Sequence, residues 1–384
     1  GPEYDFARMR SIVFANQSMY SVKNECSLGG IIACGRYVAM TKSCTCAHMR
    51  GSVALCAGRA YPSQSGLLET AGGAPPLGLA SDGLDWPTYR ATAGHGGATP
   101  VAVPVAVSNT WRIPARFPTE PFTVSLYTKN MQNCLTPPLA VGDLVFVAGS
   151  DGVIQCIETA TGAERWRYRA GGAVLAAPTF AMNRLFVGSA DGWVYALEAA
   201  TGRLLWRYRP APEERKLMVY GYLQSSWPVN SGLHFDNGIV YAAAGLPAQP
   251  GSYVFALDAA TGALIWQNDA TGPRHDTGSD TYGDSTRVPA GYITSVNSTI
   301  WVRAYQAGLG GLAFTQGTGV KLTDVSPNSL RGRNIGVVSN SFIIWGGPET
   351  YADNTERGGK FSMGITEVVN GAPRKYGVSI PSIA

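Results

Sequence analysis

A long repeat occupies the middle of this chain of 384 residues. Three stretches, 142–169, 183–209 and 237–268, share one pattern: two β-rich runs around a short turn, a Thr-Gly pair, and a run that contains tryptophan. Trp166 and Trp206 lie 40 residues apart, and Trp206 and Trp266 lie 60 apart because this interval holds an insertion. A period near 40 built from short strands predicts a β-propeller, in which each repeat buries its faces against its neighbours.

Each unit predicts one antiparallel sheet. Residues 144–147 and 153–157 are β-rich and are separated by Ser-Asp-Gly, which is typical of a hairpin. The Thr-Gly pairs at Gly162, Gly202 and Gly262 predict the next tight turn, because glycine adopts the positive φ that such a turn needs. We therefore expect an all-β fold, a propeller of roughly six to eight four-stranded blades.

An acidic residue, a glycine and a tryptophan recur at fixed places in each unit. The motif is Ala-x-Asp-x-x-x-Gly-x-x-x-Trp, and its copies are Ala256, Asp258, Gly262 and Trp266; Ala196, Glu198, Gly202 and Trp206; and Cys156, Glu158, Gly162 and Trp166. It resembles the blade repeat of the pyrroloquinoline-quinone-like (PQQ-like) propeller proteins. The resemblance implies that each tryptophan docks between neighbouring blades, so that these residues are structural and take no part in chemistry.

The resemblance points to two kinds of function. The family includes the lipoprotein that assists outer-membrane protein assembly, which implies a non-catalytic scaffold that binds a protein partner as a subunit of a larger assembly. It also includes quinoprotein dehydrogenases, which would imply an oxidoreductase that holds PQQ and calcium in a central channel beside a carboxylate base. The sequence lacks the adjacent cysteine pair of many such enzymes. We therefore expect a scaffold, with no catalytic residue and no bound cofactor.

Composition restricts the partners further. The formal net charge is +4, from 30 basic and 26 acidic residues, and the charges are not gathered into long runs. This argues against a nucleic-acid partner. No apolar stretch reaches the ~18 residues of a transmembrane helix, so we expect no transmembrane segment. An extracytoplasmic location, periplasmic or secreted, is favoured, and the missing secretion signal suggests a processed form or a tag remnant at Gly1.

The predicted organisation is a single propeller domain over residues 1–384. Residues 1–58 are expected to form partial blades with a cysteine-rich loop, residues 59–108 an irregular connection, and residues 109–384 the main repeats. Within the connection, Trp86 and Tyr89 are interpreted either as aromatic anchors on the first clear blade or as a ligand platform.

The two ends of the chain are expected to meet. Residues 11–22 predict a hairpin. Because an open sheet edge recruits other chains, we expect this hairpin to pair in one sheet with strands from residues 340–384, which would make residues 1–25 their neighbours in space.

The insertion before the third unit carries an aromatic cluster. Loops on a rigid ring often carry binding residues, so this cluster is a candidate partner surface, although aromatic residues also cover blade edges. Its members are Arg215, Tyr220, Tyr222, Gln224 and Trp227.

A polar loop follows the third unit. It contains four aspartates and a histidine, but lacks the ligand alternation and closing glutamate of a calcium loop, so a solvated loop is favoured over a cation site. The residues are Asp269, His275, Asp276, Asp280 and Asp284.

A second dense cluster is Cys44-Thr-Cys46-Ala-His48, with Cys26, Cys34 and Cys56 nearby in sequence. Its spacing does not fit haem attachment, where two residues separate the cysteines. Structural disulfides, unpaired buried thiols and a metal site remain open, with disulfides preferred. A similar Cys-x-Cys loop marks an uncharacterised secreted subgroup of PQQ-like proteins.

The disulfide interpretation predicts a count of thiols. Protein purified without reductant should show fewer free thiols than its seven cysteines when alkylated and weighed by mass spectrometry. Seven alkylated thiols would contradict structural disulfides at Cys44 or Cys46.

Overall fold

The computed structural model describes much of the chain. Side chains and backbone are described for residues 66–80, 83–102, 105–106, 110–114, 135–216, 223–245, 252–269, 291–302 and 312–322. The backbone alone is described for strand residues 12–14, 17–19, 31–33, 36–39, 53–55, 217–219, 222, 288–290, 303–305, 311, 323–324, 334–339, 342–350, 356–369 and 372–376. Every regular element in these ranges is a β-strand, which confirms the all-β prediction.

The N-terminal strands form two small sheets. β1 (Ile12–Phe14) and β2 (Gln17–Met19) make the predicted hairpin. A three-stranded sheet follows, made of β3 (Ile31–Ala33), β4 (Arg36–Ala39) and β5 (Val53–Leu55). The next strand is β6 (Leu67–Thr70).

The repeats form antiparallel sheets that follow one another along the chain. Sheet 1 contains β7 (Leu139–Val141), β8 (Leu144–Ala148), β9 (Val153–Glu158) and β10 (Glu164–Arg169). Sheet 2 contains β11 (Thr179–Ala181), β12 (Arg184–Gly188), β13 (Val194–Glu198) and β14 (Leu204–Arg209), and β6 is added to its outer edge. A separate hairpin joins β15 (Lys216–Val219) and β16 (Tyr222–Ser225).

The later sheets repeat this arrangement. Sheet 3 contains β18 (His234–Asp236), β19 (Ile239–Gly245), β20 (Ser252–Asp258) and β21 (Leu264–Asn268). Sheet 4 contains β22 (Val288–Val296), β23 (Thr299–Tyr305), β24 (Gly311–Thr315) and β25 (Lys321–Asp324), with β17 (Ser231–Gly232) parallel to β22. Sheet 5 contains β26 (Asn334–Ser339), β27 (Phe342–Thr350), β28 (Glu356–Val369) and β29 (Ala372–Tyr376). The predicted number of blades stays a prediction.

The hydrophobic core consists of layers between consecutive sheets. One layer joins sheets 1 and 2 and includes Phe146 and Leu185. A second joins sheets 2 and 3 and includes Phe186 and Phe255, and a third joins sheets 3 and 4. Since the sheets bury their faces against one another, the chain has the stacked architecture of a β-propeller.

Tryptophans link these layers at equivalent positions. Each lies on the fourth strand of its repeat, is buried, and donates its indole N–H to a carbonyl oxygen of the following sheet. The bonds run from Trp166 Nε1 to Ala199 O (3.0 Å), from Trp206 Nε1 to Ala259 O (3.3 Å) and from Trp266 Nε1 to Gln316 O (2.9 Å).

Glycine makes room for each indole. Gly202 has φ +75°, and a Cβ there would lie 2.6 Å from the Trp166 ring. Gly262 has φ +77°, and a Cβ there would lie 2.7 Å from the Trp206 ring. Any other residue would be strained by its backbone and would collide with the indole.

The same contact occurs at two places that the motif did not identify. Trp111 donates its indole N–H to Thr159 O (2.7 Å) and lies against Gly162. Trp266 lies against Gly319, in the Gly-Thr-Gly turn that resembles the earlier Thr-Gly pairs. The docking series therefore extends beyond the three clear repeats in both directions.

Two expectations about the ends of the repeat region are wrong. The hairpin β1–β2 does not share a sheet with the described C-terminal strands, because it forms a two-stranded sheet of its own, separate from the sheet of β26 to β29. The connection 59–108 is not wholly irregular either, since it contains β6, which pairs with β14. Within the described ranges, no helix has the length and apolarity to cross a membrane.

The docking geometry predicts a large loss of stability for Trp206→Ala. Trp206 is 1% exposed, and truncating a buried tryptophan costs about 3–5 kcal/mol. Chemical denaturation should measure this loss, whereas Arg165→Ala on the exposed face of β10 should change the free energy of unfolding by less than about 0.5 kcal/mol. Equal effects for both variants would contradict the docking role.

Candidate functional site

A segment outside the repeats crosses the sheets, and we call residues 66–80 the strap. Its first part is β6, which pairs antiparallel with β14 and places Glu69 opposite Arg207. Its second part is extended and is bound by Arg203, whose guanidinium donates to Gly72 O (3.1 Å) and Ala74 O (2.8 Å). The backbone N–H of Leu79 then donates to Asn183 Oδ1 (3.1 Å). The strap thus runs across sheet 2 from its outer edge.

Glu198 is the motif acid that holds the strap. Its carboxylate accepts bonds from Thr201 Oγ1 (2.5 Å), Arg203 Nε (3.1 Å) and the strap N–H of Leu77 (2.7 Å). Burial alone would raise the pKa of Glu198, but these hydrogen bonds outweigh burial and hold its pKa below the ordinary value of 4.5.

The equivalent acids of the other repeats cap only their own turns. Glu158 accepts from Thr161 Oγ1 (3.2 Å), and Asp258 accepts from the Thr261 backbone N–H (2.8 Å) and hydroxyl (2.7 Å). The Thr261 hydroxyl bond is the main cause that lowers the pKa of Asp258. The acid of the motif therefore stabilises the Thr-Gly turn, and Glu198 adds a second role.

The outer edge of sheet 2 carries an ordered arginine. Arg207 forms an ion pair with Glu69 of β6 (2.6 Å), and its guanidinium lies 4.3 Å from the centre of the Trp193 ring. A cation over an indole face is attracted by the ring quadrupole. Arg207 is thus held on both sides, and the strap is anchored by charge as well as by strand pairing.

After the strap, residues 86–97 form what we call the axial segment. It bonds to the first strands of several sheets: Trp86 exchanges backbone bonds with Ala140 of β7, and Pro87 O accepts from Phe180 N of β11 (2.7 Å). Ala93 O accepts from Thr294 Oγ1 of β22 (3.1 Å). The first strands of sheets 1, 2 and 4 therefore converge on this segment.

An aromatic cluster fills the point of convergence. The rings of Tyr89 and Tyr292 stack at 3.7 Å between centroids and 6° between planes. His95, which is buried, meets both rings edge-on. Arg90, Ala91 and His95 all have positive φ, a backbone conformation that costs energy in a residue other than glycine and that persists only where surrounding contacts enforce it. This geometry supports the anchor interpretation of Tyr89.

A hydroxyl–imidazole pair lies on the neighbouring strands. His234 of β18 is buried, and its Nε2 lies 2.9 Å from Ser295 Oγ of β22. Burial, with a smaller contribution from His95, lowers the pKa of His234 to about 3. The imidazole is therefore neutral at ordinary pH, and its bond joins sheet 3 to sheet 4.

The aromatic cluster proposed as a partner surface does not form one exposed patch among the described residues. Trp227 is 0% exposed, so its assignment to a partner surface is wrong. It packs under Arg215, whose guanidinium lies 5.0 Å from the ring centre and donates from Nε to Ser226 Oγ (2.8 Å). Gln224 is half-buried on β16. Tyr220 and the side chain of Tyr222 lie outside the described residues.

Several predicted residues cannot be placed. Cys26, Cys34, Cys44, Cys46 and Cys56 lie outside the described residues, as does the polar loop apart from Asp269. Within the described ranges Cys156 is a buried free thiol, and burial raises its pKa to about 12. The same ranges hold no group of three potential metal ligands.

The residues at the convergence do not fit a quinone and calcium site. They supply stacked phenol rings, hydroxyls and a neutral imidazole, whereas calcium takes carboxylate and carbonyl oxygens. The carboxylate of Asp236, on the same strand as His234, accepts instead from Gln316 Nε2 (2.6 Å). What this arrangement can do is hold the first strands together.

Comparison with known proteins gives a family match. The profile of the family described as outer membrane protein assembly factor BamB matches residues 123–347, more than half of the chain. No curated protein matches the sequence.

Solved structures show weaker similarity. BamB from Moraxella catarrhalis has 16% identity and a TM-score of 0.38, over 63% of this chain and 74% of that one. Quinohemoprotein alcohol dehydrogenase from Comamonas testosteroni has 17% identity and a TM-score of 0.44, over 76% of this chain and 46% of that one. The chain thus spans less than half of that dehydrogenase, and such low identities say nothing about function.

The bonds to Glu198 predict a pH-dependent effect of Glu198→Gln. Because the folded pKa of Glu198 lies below its unfolded value, its stabilisation is complete above that value and is lost as pH falls through the folded pKa. The difference in unfolding free energy between the wild type and Glu198→Gln should therefore be largest near neutral pH and shrink in acid. Urea denaturation from pH 7 to about pH 3 should measure it.

Glu158→Gln is the matched control. It removes the equivalent carboxylate of the preceding repeat, which accepts from Thr161 Oγ1 (3.2 Å) and does not hold the strap. At neutral pH, Glu158→Gln should lower the free energy of unfolding less than Glu198→Gln does. An effect of Glu198→Gln that is independent of pH, or equal to that of Glu158→Gln, would contradict the assigned role.

Proposed function

Because the chain belongs to the family of the outer membrane protein assembly factor BamB, we propose that it is a non-catalytic β-propeller scaffold in outer-membrane protein assembly. It would act outside the cytoplasm, in the periplasm, and bind a protein partner as a subunit of a larger assembly. The observation that carries the proposal is the family match over residues 123–347.

Two structural features support a scaffold. First, the sheets are joined by repeated indole bonds and continuous apolar layers, which give a rigid frame on which loops are presented. Second, the axial segment packs on the first strands of sheets 1, 2 and 4. Where those strands meet, the rings of Tyr89, His95 and Tyr292 pack against one another.

The alternative, a quinoprotein oxidoreductase, gains no specific support from the site. The stacked Tyr89 and Tyr292 rings and the bond between His234 and Ser295 join elements to one another, and each has an evident packing role. We therefore carry only the scaffold forward.

A reconstituted folding assay tests the proposal. Denatured outer-membrane barrel protein is added to vesicles that contain the purified assembly machinery of the source organism, with and without the full chain. The folded fraction, measured by the mobility shift of the folded barrel on gels, should rise when the chain is present. Fractionation of source cells should place the chain in the envelope.

The control is the destabilised variant Trp206→Ala, which should lose the effect in proportion to its unfolded fraction. No change in the folded fraction, together with quinone-dependent reduction of a dye by the chain in the presence of alcohols, would replace the scaffold by the oxidoreductase. No change in the folded fraction and a cytoplasmic location would reject the proposal outright.

A further inference from the structure

Two outer strands of the propeller carry the same four residues. β10 ends in Trp-Arg-Tyr-Arg at positions 166–169, and β14 ends in Trp-Arg-Tyr-Arg at positions 206–209. Their registers also match, since Trp166 lies opposite Cys156 and Trp206 opposite Ala196, each beside a bulge. The two strands therefore present equivalent edges to the outside of the ring.

The edge of β14 is already occupied. β6 pairs with it antiparallel as a fifth strand, from Leu67 opposite Arg209 to Thr70 opposite Trp206. Within the described part of the chain, no strand pairs with the outer edge of β10. The strap therefore shows, on one sheet, which kind of segment an equivalent edge accepts.

The backbone of β10 is oriented to receive such a segment. On β14, Leu205 O accepts from Ala71 N of the strap, so the odd-numbered residues of that strand face outward. On β10, Ala170 N donates inward to Gly152 O. Because the direction of the backbone groups alternates along an antiparallel strand, the backbone N–H and C=O groups of Arg167 and Arg169 face outward. An added strand would bond to these groups, as in other cases of β-augmentation.

Charge determines which segment fits. In sheet 2, Arg207 is paired with Glu69 of the strap. In sheet 1, the equivalent Arg167 is 60% exposed and pairs with Glu164 of its own strand, at the position where sheet 2 has Leu204. The Arg167 side chain is exposed, and an exposed ion pair contributes little stability. An incoming carboxylate can therefore compete for Arg167, while Glu164 keeps its bond from Gln155 Nε2.

We propose that the outer edge of β10 binds an extended, acidic segment of a partner polypeptide as a fifth antiparallel strand, with a carboxylate opposite Arg167. The proposal rests on the proposed function in that it makes the partner a protein handled by the scaffold. Three arginines, Arg165, Arg167 and Arg169, lie at alternate positions on this strand, so the edge attracts an acidic strand and repels a basic one.

The test uses the full chain and a fluorescent peptide with the sequence of residues 66–74, the segment that the structure shows on the equivalent edge. Fluorescence anisotropy should show saturable binding. Glu164→Leu, which installs the residue of sheet 2, should tighten binding several-fold by releasing Arg167. Arg167→Glu should weaken it by at least about tenfold, because like charges would then face each other.

Charge exchange makes the test specific. A peptide with arginine in place of Glu69 should bind the wild-type chain poorly. It should bind the Arg167→Glu variant about as tightly as the unmodified peptide binds the wild type. Lys216→Glu, which makes the same change in net charge on another exposed side chain, should leave binding unchanged. Amide hydrogen exchange should slow at Arg167 and Arg169 when the peptide is bound.

Other outcomes overturn the proposal. These are the absence of peptide binding, binding unaffected by Arg167→Glu, or amides of Arg167 and Arg169 already protected in the free chain, which would mean that the chain covers its own edge. A dimer that Arg167→Glu dissociates would place a second copy there. Peptide binding without any effect in the folding assay would reject the proposed function but retain the site, and the reverse result would reject the site alone.

Discussion

The contact between an indole and a glycine is the interaction on which the rest of this propeller depends. It needs two partners that neither sheet supplies alone: a tryptophan on the outer strand of one sheet and a glycine turn on the next. The indole N–H finds a carbonyl there, so the polar atom of a buried ring is satisfied. Since glycine also has positive φ in these turns, the same residue closes a hairpin and makes room for the neighbouring sheet.

The sequence was sufficient to predict the parts of the fold that repeat. Hairpins, Thr-Gly turns and tryptophan strands depend on short-range spacing, which a period of 40 makes visible between Trp166 and Trp206. The docking role of Trp111 was not predicted because the sequence before it matches the repeat only weakly, although Trp111 precedes a Thr-Gly turn as the other docking tryptophans do. Trp227 was misassigned because sequence does not distinguish an aromatic residue that faces a partner from one that is buried beneath an arginine.

The strap and the axial segment could not be predicted for a different reason. Residues 66–97 show no periodicity, since their bonds go to distant strands and the turn relies on left-handed residues other than glycine. Local propensity opposes that backbone, and only the surrounding contacts select it. The one sequence signal was the pair Trp86 and Tyr89, which marks an anchor but does not say to which strand it is anchored.

The axial segment also has a consequence for the order in which the molecule folds. The bond between Thr294 and Ala93 spans 201 positions of sequence, and Tyr89 stacks on a residue of the same distant strand. During synthesis the segment leaves the ribosome long before β22 exists. Its bonds to β7 and β11 can form with sheets 1 and 2. Its contacts with β22 must wait until that strand has been synthesised, while the intervening sheets form from local hairpins. The axial segment is synthesised before β22, so its contacts with that strand are completed late in folding.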